Sequence, residues 1–140
     1  MGAPCDIPNR YGDVHAQPNG AGDARPTAFK ILQDEGLIGA LRDKTILITG
    51  GTNGLGLDTV RQLAKTGARV FFTARNEVQG EQVKQGILDG AKEDEDLKGA
   101  RLEVLKLDLK SLASVRQAAE RFSQMSDQLN VFISNAGTIS

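Results

Sequence analysis

The most constraining feature of this sequence is a glycine-rich turn that joins an apolar run to a helical pattern, TILITGGTNGLG at residues 45–56. The run TILIT is short and rich in β-branched residues, as expected of a strand buried on both faces. After the turn, apolar side chains recur at helical spacing, and Gly67 marks the end of that helix. These side chains are Leu57, Val60, Leu63 and Ala64. The pattern predicts the first half of a βαβ unit.

Strand and helix patterns alternate through the rest of the chain. Further strands are predicted at ARVFFTA (68–74), RLEVLKLDL (101–109) and VFIS (131–134). A weaker helix is predicted from about Glu77 to Leu88, with Val83 and Ile87 on its buried side. A stronger helix follows the third strand, because Leu112, Val115, Ala118, Ala119, Phe122 and Met125 form a stripe with helical period. This alternation predicts a parallel sheet with right-handed crossovers.

The acidic stretch DGAKEDEDLKGA (89–100) lies between the second helix and the third strand. Its acidic run, residues 93–96, is flanked by Lys92 and Lys98. We therefore interpret it as a solvated connection and predict no metal ligands.

The first 43 residues form an extension that precedes the alternating pattern. Residues 1–25 are rich in Gly, Pro, Asn and Asp, so we expect a loop or disorder, with Tyr11 and His15 on the surface. A short helix is predicted from Thr27, its cap, to Glu35, and Gly36 ends it. Its apolar side would consist of Phe29, Ile31 and Leu32 and would dock on the domain that follows.

Charge and composition exclude several functions. The formal net charge of −1 gives no indication of a nucleic-acid partner. No apolar run approaches the ~20 residues needed to span a bilayer, and the N-terminus lacks the apolar core of a signal peptide. The single cysteine, Cys5, has no intramolecular partner and is interpreted as a bystander in a reducing compartment. These features predict a cytoplasmic protein without membrane or nucleic-acid partners.

The glycines of the turn have a physical explanation that points to an anion. Gly50 suits the tight turn, Gly54 removes a Cβ where a ligand could approach the backbone, and Gly56 lets the new helix pack closely on the strand. The amides at the start of that helix lack intrahelical partners and carry the positive end of the helix dipole. A pyrophosphate fits such a site best.

The spacing of the turn, T-G-x-x-x-G-x-G, resembles the cofactor loop of the short-chain dehydrogenase/reductase family. The resemblance extends over about residues 44–137 and includes three further landmarks in the family's order. It implies an α/β fold, a partial Rossmann-type doubly wound parallel sheet with strand order 3-2-1-4. Residues 1–43 would be an N-terminal extension, and residues 44–140 the N-terminal half of a dinucleotide-binding domain.

The first landmark is the tip of the second strand, Thr73-Ala74-Arg75-Asn76. An acidic residue there would bind the 2′-OH of NAD and repel the phosphate of NADP. The tip carries no acid, and the guanidinium of Arg75 can pair with a 2′-phosphate. The resemblance also implies NADP, with NAD the less favoured cofactor. A solvent-facing Arg without a ligand is the alternative.

The second and third landmarks close the third and fourth strands. The resemblance implies that Asp108 accepts a hydrogen bond from the adenine amino group and that Leu109 offers its backbone. Without the family, Asp108 could instead start the next helix together with Ser111, and both interpretations can hold. In Asn135-Ala136-Gly137, the resemblance implies that Asn135 ties adjacent strands together and that the small residues approach the cofactor ribose. The cofactor-binding residues are thus predicted to be Gly50, Thr52, Asn53, Gly54, Leu55, Gly56, Arg75, Asn76, Asp108, Leu109, Asn135, Ala136 and Gly137.

The family's catalytic groups have no counterpart in these 140 residues. The resemblance implies a Tyr-x-x-x-Lys pair, a Ser and a further Asn, all beyond the fourth strand, whereas Tyr11 is the only tyrosine and His15 stands four residues after it. We assign no catalytic residue and expect a truncated chain. It would leave the fourth strand as an exposed edge that is prone to self-association.

Three functions remain open at this point. The first is an NADP-dependent oxidoreductase acting on a carbonyl or alcohol, with the small-molecule substrate bound only in a full-length relative. The second is an inactive product that retains weak dinucleotide or partner binding. The third, a Rossmann-like methyltransferase, is disfavoured because such folds carry an acid at the second strand's tip, where Arg75 stands.

Overall fold

The computed structural model describes residues 10–137, so Cys5 lies outside the described residues. The helices are α1 (Gly12–Ala16), α2 (Ala28–Asp34), α3 (Gly54–Ala64), α4 (Glu77–Asp89) and α5 (Leu112–Met125). The strands are β1 (Thr45–Ile48), β2 (Arg69–Ala74), β3 (Arg101–Lys106) and β4 (Val131–Ile133). Short 3₁₀ turns at Gly90–Lys92 and Glu95–Leu97 link α4 to β3.

The four strands form one parallel sheet in the order β3-β2-β1-β4. In its centre Leu47 pairs with Phe71 on one side and with Phe132 on the other. The parallel pairing and the strand order confirm the prediction from the sequence, whereas β3 ends at Lys106, three residues before its predicted end. The architecture is a partial Rossmann fold.

Helices cover the two faces of the sheet unequally. On one face, α3 and α4 pack over a large core that includes Ile46, Ile48, Val60 and Phe72. On the other face, α5 packs over a smaller cluster of Leu47, Phe71 and Leu105. The rings of Phe71 and Phe122 meet edge to face there, with centroids 4.8 Å apart. Both faces of β1 and β2 are thereby buried, which explains the unbroken apolar runs in these strands.

Two features of the loop before β3 and of α5 differ from the sequence prediction. Leu97, in the acidic connection, is buried at 4% exposure and joins the larger core, so this segment is anchored rather than merely solvated. In α5 the apolar stripe is shorter than predicted, since Leu112 is 78% exposed and Ala119 is exposed. At the first turn of α5, no described residue buries Leu112.

The extension is more ordered than its composition suggested. Residues 12–16 form α1 where a loop was expected, and Tyr11 is half-buried, donating its hydroxyl to Asp34 Oδ2 at 2.8 Å. Thr27 Oγ1 accepts from Lys30 N at 3.1 Å, so the predicted cap of α2 is confirmed. Ile31 does not belong to the docking side, because it is 37% exposed.

None of the helices within residues 10–137 has the length and apolar character that a bilayer crossing requires. The same residues contain no group of three or more His, Cys, Asp or Glu side chains placed to share a metal ion.

Candidate cofactor site

The predicted site residues all lie at one edge of the sheet, in the segments that follow the carboxyl ends of the four parallel strands. From β1 the chain leaves towards the face covered by α3, whereas α5, which precedes β4, covers the opposite face. A crevice between such neighbouring strands is where doubly wound sheets bind their ligands. The edge between β1 and β4 is therefore the centre of the candidate site.

The turn after β1 is fastened to β2 through two consecutive amides. Gly50, with φ +76°, donates its N–H to Thr73 Oγ1 at 3.0 Å. Gly51 donates its N–H to the carbonyl oxygen of Thr73 at 3.2 Å. Gly51 is also buried so tightly that a Cβ there would lie 2.7 Å from Phe72 Cβ. The direction in which the chain leaves β1 is thus set by β2.

On its other side the turn is fastened to the segment after β4. Asn135 Nδ2 donates to the carbonyl oxygens of Thr49 and Gly50, at 3.1 and 3.0 Å. The backbone amides of Asn135 and Ala136 both donate to Thr49 Oγ1 at 3.1 Å. A Cβ on Gly50 would lie 3.0 Å from Ala136 Cα. The small residues allow these two segments to approach each other.

Gly56 is required for a reason other than the predicted one. A Cβ at this position would lie 2.0 Å from the carbonyl oxygen of Gly50 and 2.6 Å from Asn135 Nδ2. The close approach is therefore between the helix and the turn, together with the β4 segment, rather than between the helix and a strand.

The start of α3 differs from the starts of α4 and α5. Asn76 Oδ1 accepts from Gln79 N, and Ser111 Oγ accepts from Ser114 N, so side chains cap α4 and α5. At α3 the cap residue is Asn53, whose side chain makes no capping hydrogen bond. The first amides of a helix have no intrahelical acceptors. Those of α3 are left to solvent or to a ligand.

Space is available in front of these amides. Gly54 has φ +53°, and a Cβ on it would meet no atom within 4 Å. Thr52 is half-buried, and the neighbouring Leu55 is 84% exposed. Uncapped amides, the positive end of an 11-residue helix and open space together suit a bound anion.

The tips of β2 and β3 extend the site away from this helix. Arg75 is exposed and forms no ion pair with any residue in the described part of the chain. Leu107 N donates to the carbonyl oxygen of Ala74 at 2.9 Å and holds the two tips side by side. A guanidinium without a partner is thereby presented beside the end of β3.

Asp108 lies between the end of β3 and the start of α5. Its Oδ1 accepts from Lys110 N at 3.0 Å, and its amide donates to Ser114 Oγ at 2.9 Å, so it shapes the entry into α5. Its side chain is half-buried, and Leu109 beside it is 57% exposed. One carboxylate oxygen serves the turn, and a carboxylate has further lone pairs for a ligand.

The sequence did not indicate the two buried threonines that organise these segments. Thr49 is 6% exposed and Thr73 is 4% exposed, and each hydroxyl accepts backbone amides from the segment after a neighbouring strand. The only signal was a threonine at the end of an apolar strand, which also suits a strand for reasons of shape.

A cavity of about 440 Å³ lies at the opposite edge of the sheet, lined by residues that include Arg42, Gly67, Glu95 and Arg101. There the guanidinium of Arg101 donates to the carbonyl oxygens of Gly67 and Arg42. This guanidinium binds carbonyl oxygens in the segment after α3 and at the end of the extension, so the cavity lies between packed segments. The predicted site residues do not line it.

Comparison with known proteins agrees with the geometry. The sequence model of the short chain dehydrogenase family matches residues 44–140. The chain is 41% identical over 128 residues to the short-chain dehydrogenase/reductase prx1 of Penicillium rubens, a match that covers 91% of this chain and 35% of that protein. It is 38% identical over 96 residues to retinol dehydrogenase 12 of Mus musculus, covering 69% of this chain and 28% of that protein.

A solved structure shares the fold. The NADP active-site complex of Pseudomonas aeruginosa RhlG superposes with a TM-score of 0.61 at 26% identity, covering 73% of this chain and 38% of that one. The chain thus spans about a third of the length of the proteins it matches. A match over 91% of the chain must also include most of residues 1–43, so the extension is shared with the Penicillium relative.

Proposed function

The chain belongs to the short-chain dehydrogenase/reductase family, and from this premise we propose that it binds NADP(H) at the carboxyl edge of its sheet. Its residues would hold the adenosine and phosphate parts of the dinucleotide. The complete relatives' reaction would be the oxidation or reduction of an alcohol or a carbonyl. A bound dinucleotide supplies a hydride donor or acceptor for that reaction.

The uncapped start of α3 is the observation that carries this proposal. Side chains cap α4 and α5, whereas no side chain caps the first amides of α3, and a Cβ on Gly54 would meet no atom within 4 Å. A pyrophosphate offers the acceptors and the negative charge that such amides favour. The residues present therefore fit the cofactor that the family implies.

The choice of NADP over NAD is supported by charge at the tip of β2. Arg75 is exposed and unpaired within residues 10–137, and no acid occupies the tip to repel a 2′-phosphate. The planar guanidinium can bind such a phosphate through two hydrogen bonds. The similar RhlG structure contains NADP, which supports the same choice.

The other predicted residues would supply the remaining contacts with the adenosine half of the dinucleotide. Asp108 and Leu109 lie at the tip of β3, beside Arg75, where an adenine ring would find an acceptor and an apolar surface. Asn76 caps α4 and fixes the backbone next to Arg75. Asn135, Ala136 and Gly137 would border the ribose that follows the pyrophosphate, while Thr52 and Asn53 lie at the entrance to α3.

We also propose that residues 1–140 bind the cofactor without catalysing hydride transfer. Tyr11, the only tyrosine, lies in the extension, where its hydroxyl is engaged by Asp34. Desolvation and this hydrogen bond raise the pKa of Tyr11, which is the opposite of what a catalytic tyrosine needs. The proton-transfer groups of the relatives would belong to the two thirds of their length that this chain does not span.

A third part of the proposal concerns the free edge of the sheet. β4 pairs with β1 on one side only, and Val131 and Phe132 are 43% and 57% exposed. An edge strand with unpaired amides and apolar side chains is a template for another strand. We expect purified residues 1–140 to self-associate reversibly through β4.

Calorimetric titration of NADPH and NADH into residues 1–140 tests the cofactor assignment. Arg75→Ala should weaken NADPH binding by about 1.5–3 kcal/mol, because it removes a charge-assisted contact, and should leave NADH affinity nearly unchanged. Arg121→Ala, an equal change of charge on the exposed side of α5, is the control and should alter neither affinity. Equal losses for both dinucleotides would refute the role of Arg75.

The same samples test the catalytic part. NADPH absorbance should remain constant when a panel of carbonyl compounds is added to the complex. Turnover by residues 1–140 would contradict the assignment of the catalytic groups to the part of the relatives that these residues do not span.

A further inference from the structure

Thr73 is buried at the point where the two halves of the proposed site meet. It lies near the end of β2, is 4% exposed, and accepts the Gly50 amide through its hydroxyl and the Gly51 amide through its carbonyl oxygen. Two residues later the same strand end presents Arg75. A single residue therefore connects the glycine-rich turn with the tip that carries the guanidinium.

The hydroxyl of Thr73 accepts the Gly50 amide at a point where no strand carbonyl pairs with it. The paired residues of β1 and β2 end with Ile48 and Phe72, so regular strand pairing stops before Gly50. With φ +76°, Gly50 turns the chain out of the strand, and its amide requires a new acceptor. Thr73 Oγ1 supplies that acceptor at 3.0 Å. Without it, a polar group beside the core would lose its partner.

The consequences for a ligand follow from the neighbours of Gly50. Its carbonyl oxygen accepts from Asn135 Nδ2, and that same oxygen lies against Gly56, in the first turn of α3. A rotation of the Gly50 peptide would therefore move the acceptor of Asn135 and the close contact with the helix start. The amides proposed to hold the pyrophosphate would then be displaced relative to Arg75.

We propose that Thr73 is a positioning residue for the dinucleotide. Its hydroxyl fixes the Gly50 peptide and so holds the phosphate-binding turn at the correct distance from the 2′-phosphate site. The inference rests on the proposed function and extends it to a residue that is shielded from the ligand. It predicts that loss of the Thr73 hydroxyl weakens cofactor binding, in addition to any effect on the stability of the fold.

The chain offers a matched control for this distinction. Thr66 is also fully buried, and its hydroxyl also bonds to backbone, donating to Leu63 O at 2.6 Å and accepting from Ala68 N at 3.3 Å. It lies after α3, near the amino edge of the sheet and away from the proposed site. Thr66→Val removes a buried hydroxyl of the same kind where no ligand is expected.

The test compares Thr73→Val, Thr73→Ser and Thr66→Val by NADPH titration well below their unfolding temperatures. Thr73→Val keeps the shape and loses the hydroxyl, so the dissociation constant for NADPH should rise about three- to tenfold. Thr73→Ser keeps the hydroxyl and should remain within about twofold of the unsubstituted chain. Thr66→Val should lower the unfolding temperature without changing the affinity.

Amide hydrogen exchange gives a second measurement that packing alone does not alter. The Gly50 amide should be protected in the unsubstituted chain and in Thr73→Ser, and should exchange faster in Thr73→Val, while the Phe72 amide stays protected in all three. If Thr73→Val does not fold, the inference is tested by the NADPH affinity of Thr73→Ser and by the exchange rate of the Gly50 amide in the unsubstituted chain. A Gly50 amide that exchanges as fast as that of exposed Asn53 would overturn the inference.

Two further outcomes separate the inference from the function it rests on. If the unsubstituted chain binds NADPH and Thr73→Val binds it equally well, the positioning role is wrong and the proposed function stands. If the unsubstituted chain does not bind NADPH, the proposed function and this inference both fail.

Discussion

At the scale of single residues, the site depends on glycines, because their lack of a Cβ leaves room for neighbouring groups. Gly56 leaves room for the Gly50 carbonyl oxygen and for Asn135 Nδ2, at distances that no side chain would allow. Gly51 does the same against Phe72 and Val60. Both glycines have ordinary backbone angles, since neither shows a positive φ. Their requirement is for space rather than for conformational freedom, and the turn, the helix start and the β4 segment meet because of it.

Gly56→Ala tests this requirement for space. The added Cβ would lie 2.0 Å from a backbone oxygen, so the turn must shift, and we expect a loss of about 2–3 kcal/mol in the free energy of unfolding. Urea denaturation measures the loss.

Gly86→Ala is the matched control, because Gly86 lies within α4 and a Cβ there meets no atom within 4 Å. This substitution should stabilise the chain by up to about 1 kcal/mol through helix propensity. Equal effects of the two substitutions would mean that the crowding at Gly56 is not real.

The sequence identified which residues belong to the edge but not how they contact each other. The glycine spacing predicted a turn and an open helix start, and Gly50 and Gly54 both have a positive φ. The sequence predicted the wrong packing partner for Gly56, and it indicated no contact for Gly51 or for the hydroxyl of Thr73. The contacts of Gly51 with Phe72, of Thr73 with Gly50 and of Gly56 with Asn135 join residues more than 20 positions apart. A local pattern of residue types contains no information on such contacts.

At the scale of elements, one buried lysine contacts both the acidic connection and helix α2 of the extension. Lys65, which ends α3, has a side chain that is only 10% exposed and lies 2.6 Å from Asp94 Oδ2. Its ammonium group also lies 4.3 Å from the ring centroid of Phe29, on α2. The ammonium group of Lys65 thus contacts both the acidic connection, through Asp94, and the extension, through Phe29.

Lys65→Met tests these contacts. Methionine retains the apolar stem but removes the ion pair and the contact of the cation with the ring, so we expect a loss of about 1 kcal/mol at neutral pH. Lys92→Met is the control, because Lys92 is 81% exposed and lies 3.8 Å from Asp89. The control should change the free energy of unfolding by less than about 0.5 kcal/mol.

The contacts of Lys65 should also depend on pH. The hydrogen bond from Lys65 lowers the pKa of Asp94. A carboxyl group with a lowered pKa stabilises the folded chain above its ordinary pKa of about 3.9, and this contribution is lost as the pH falls through the lowered value. The difference between Lys65→Met and the unsubstituted chain should therefore diminish as the pH falls below about 4. A difference that is constant down to the lowest pH at which both fold would contradict the role of the pair.

The predictability of the elements followed the strength of their periodicity. The strands and helices α3, α4 and α5 were predictable because each buries a regular stripe against the sheet. Leu112 was misassigned because helical spacing alone does not show which turns of a helix are covered. Leu97 was missed because one leucine among charges has no period, and its burial depends on where the connection folds back.

At the scale of the whole molecule, the inner strands of the sheet are buried, whereas the edge strand β4 is exposed. β2 is fully paired and buried, whereas β4 at the edge leaves Phe132 57% exposed beside the core residue Leu47. The face that α5 covers therefore continues as an apolar surface towards β4. This surface is the structural basis for the expected self-association.

Phe132→Lys tests the association through this edge. A lysine on an edge strand opposes strand pairing by charge and hydration, so sedimentation velocity should show less oligomer at each concentration. Val78→Lys, a similar change at an exposed apolar residue of α4, should leave the distribution as it is. Monomer at all concentrations without any substitution, or equal effects of the two variants, would rule out association through β4.

The most direct test of the account is to map where NADP⁺ binds, by following backbone amide shifts of residues 1–140 during a titration. Binding at the carboxyl edge predicts the largest shifts at Gly54, Leu55 and Gly56, with smaller ones at Arg75 and Leu109. The amides of Gly39, Gly67 and Arg101, around the cavity at the opposite edge, should not move. Shifts that cluster around that cavity, or a saturable titration that leaves the start of α3 unchanged, would contradict the central claim.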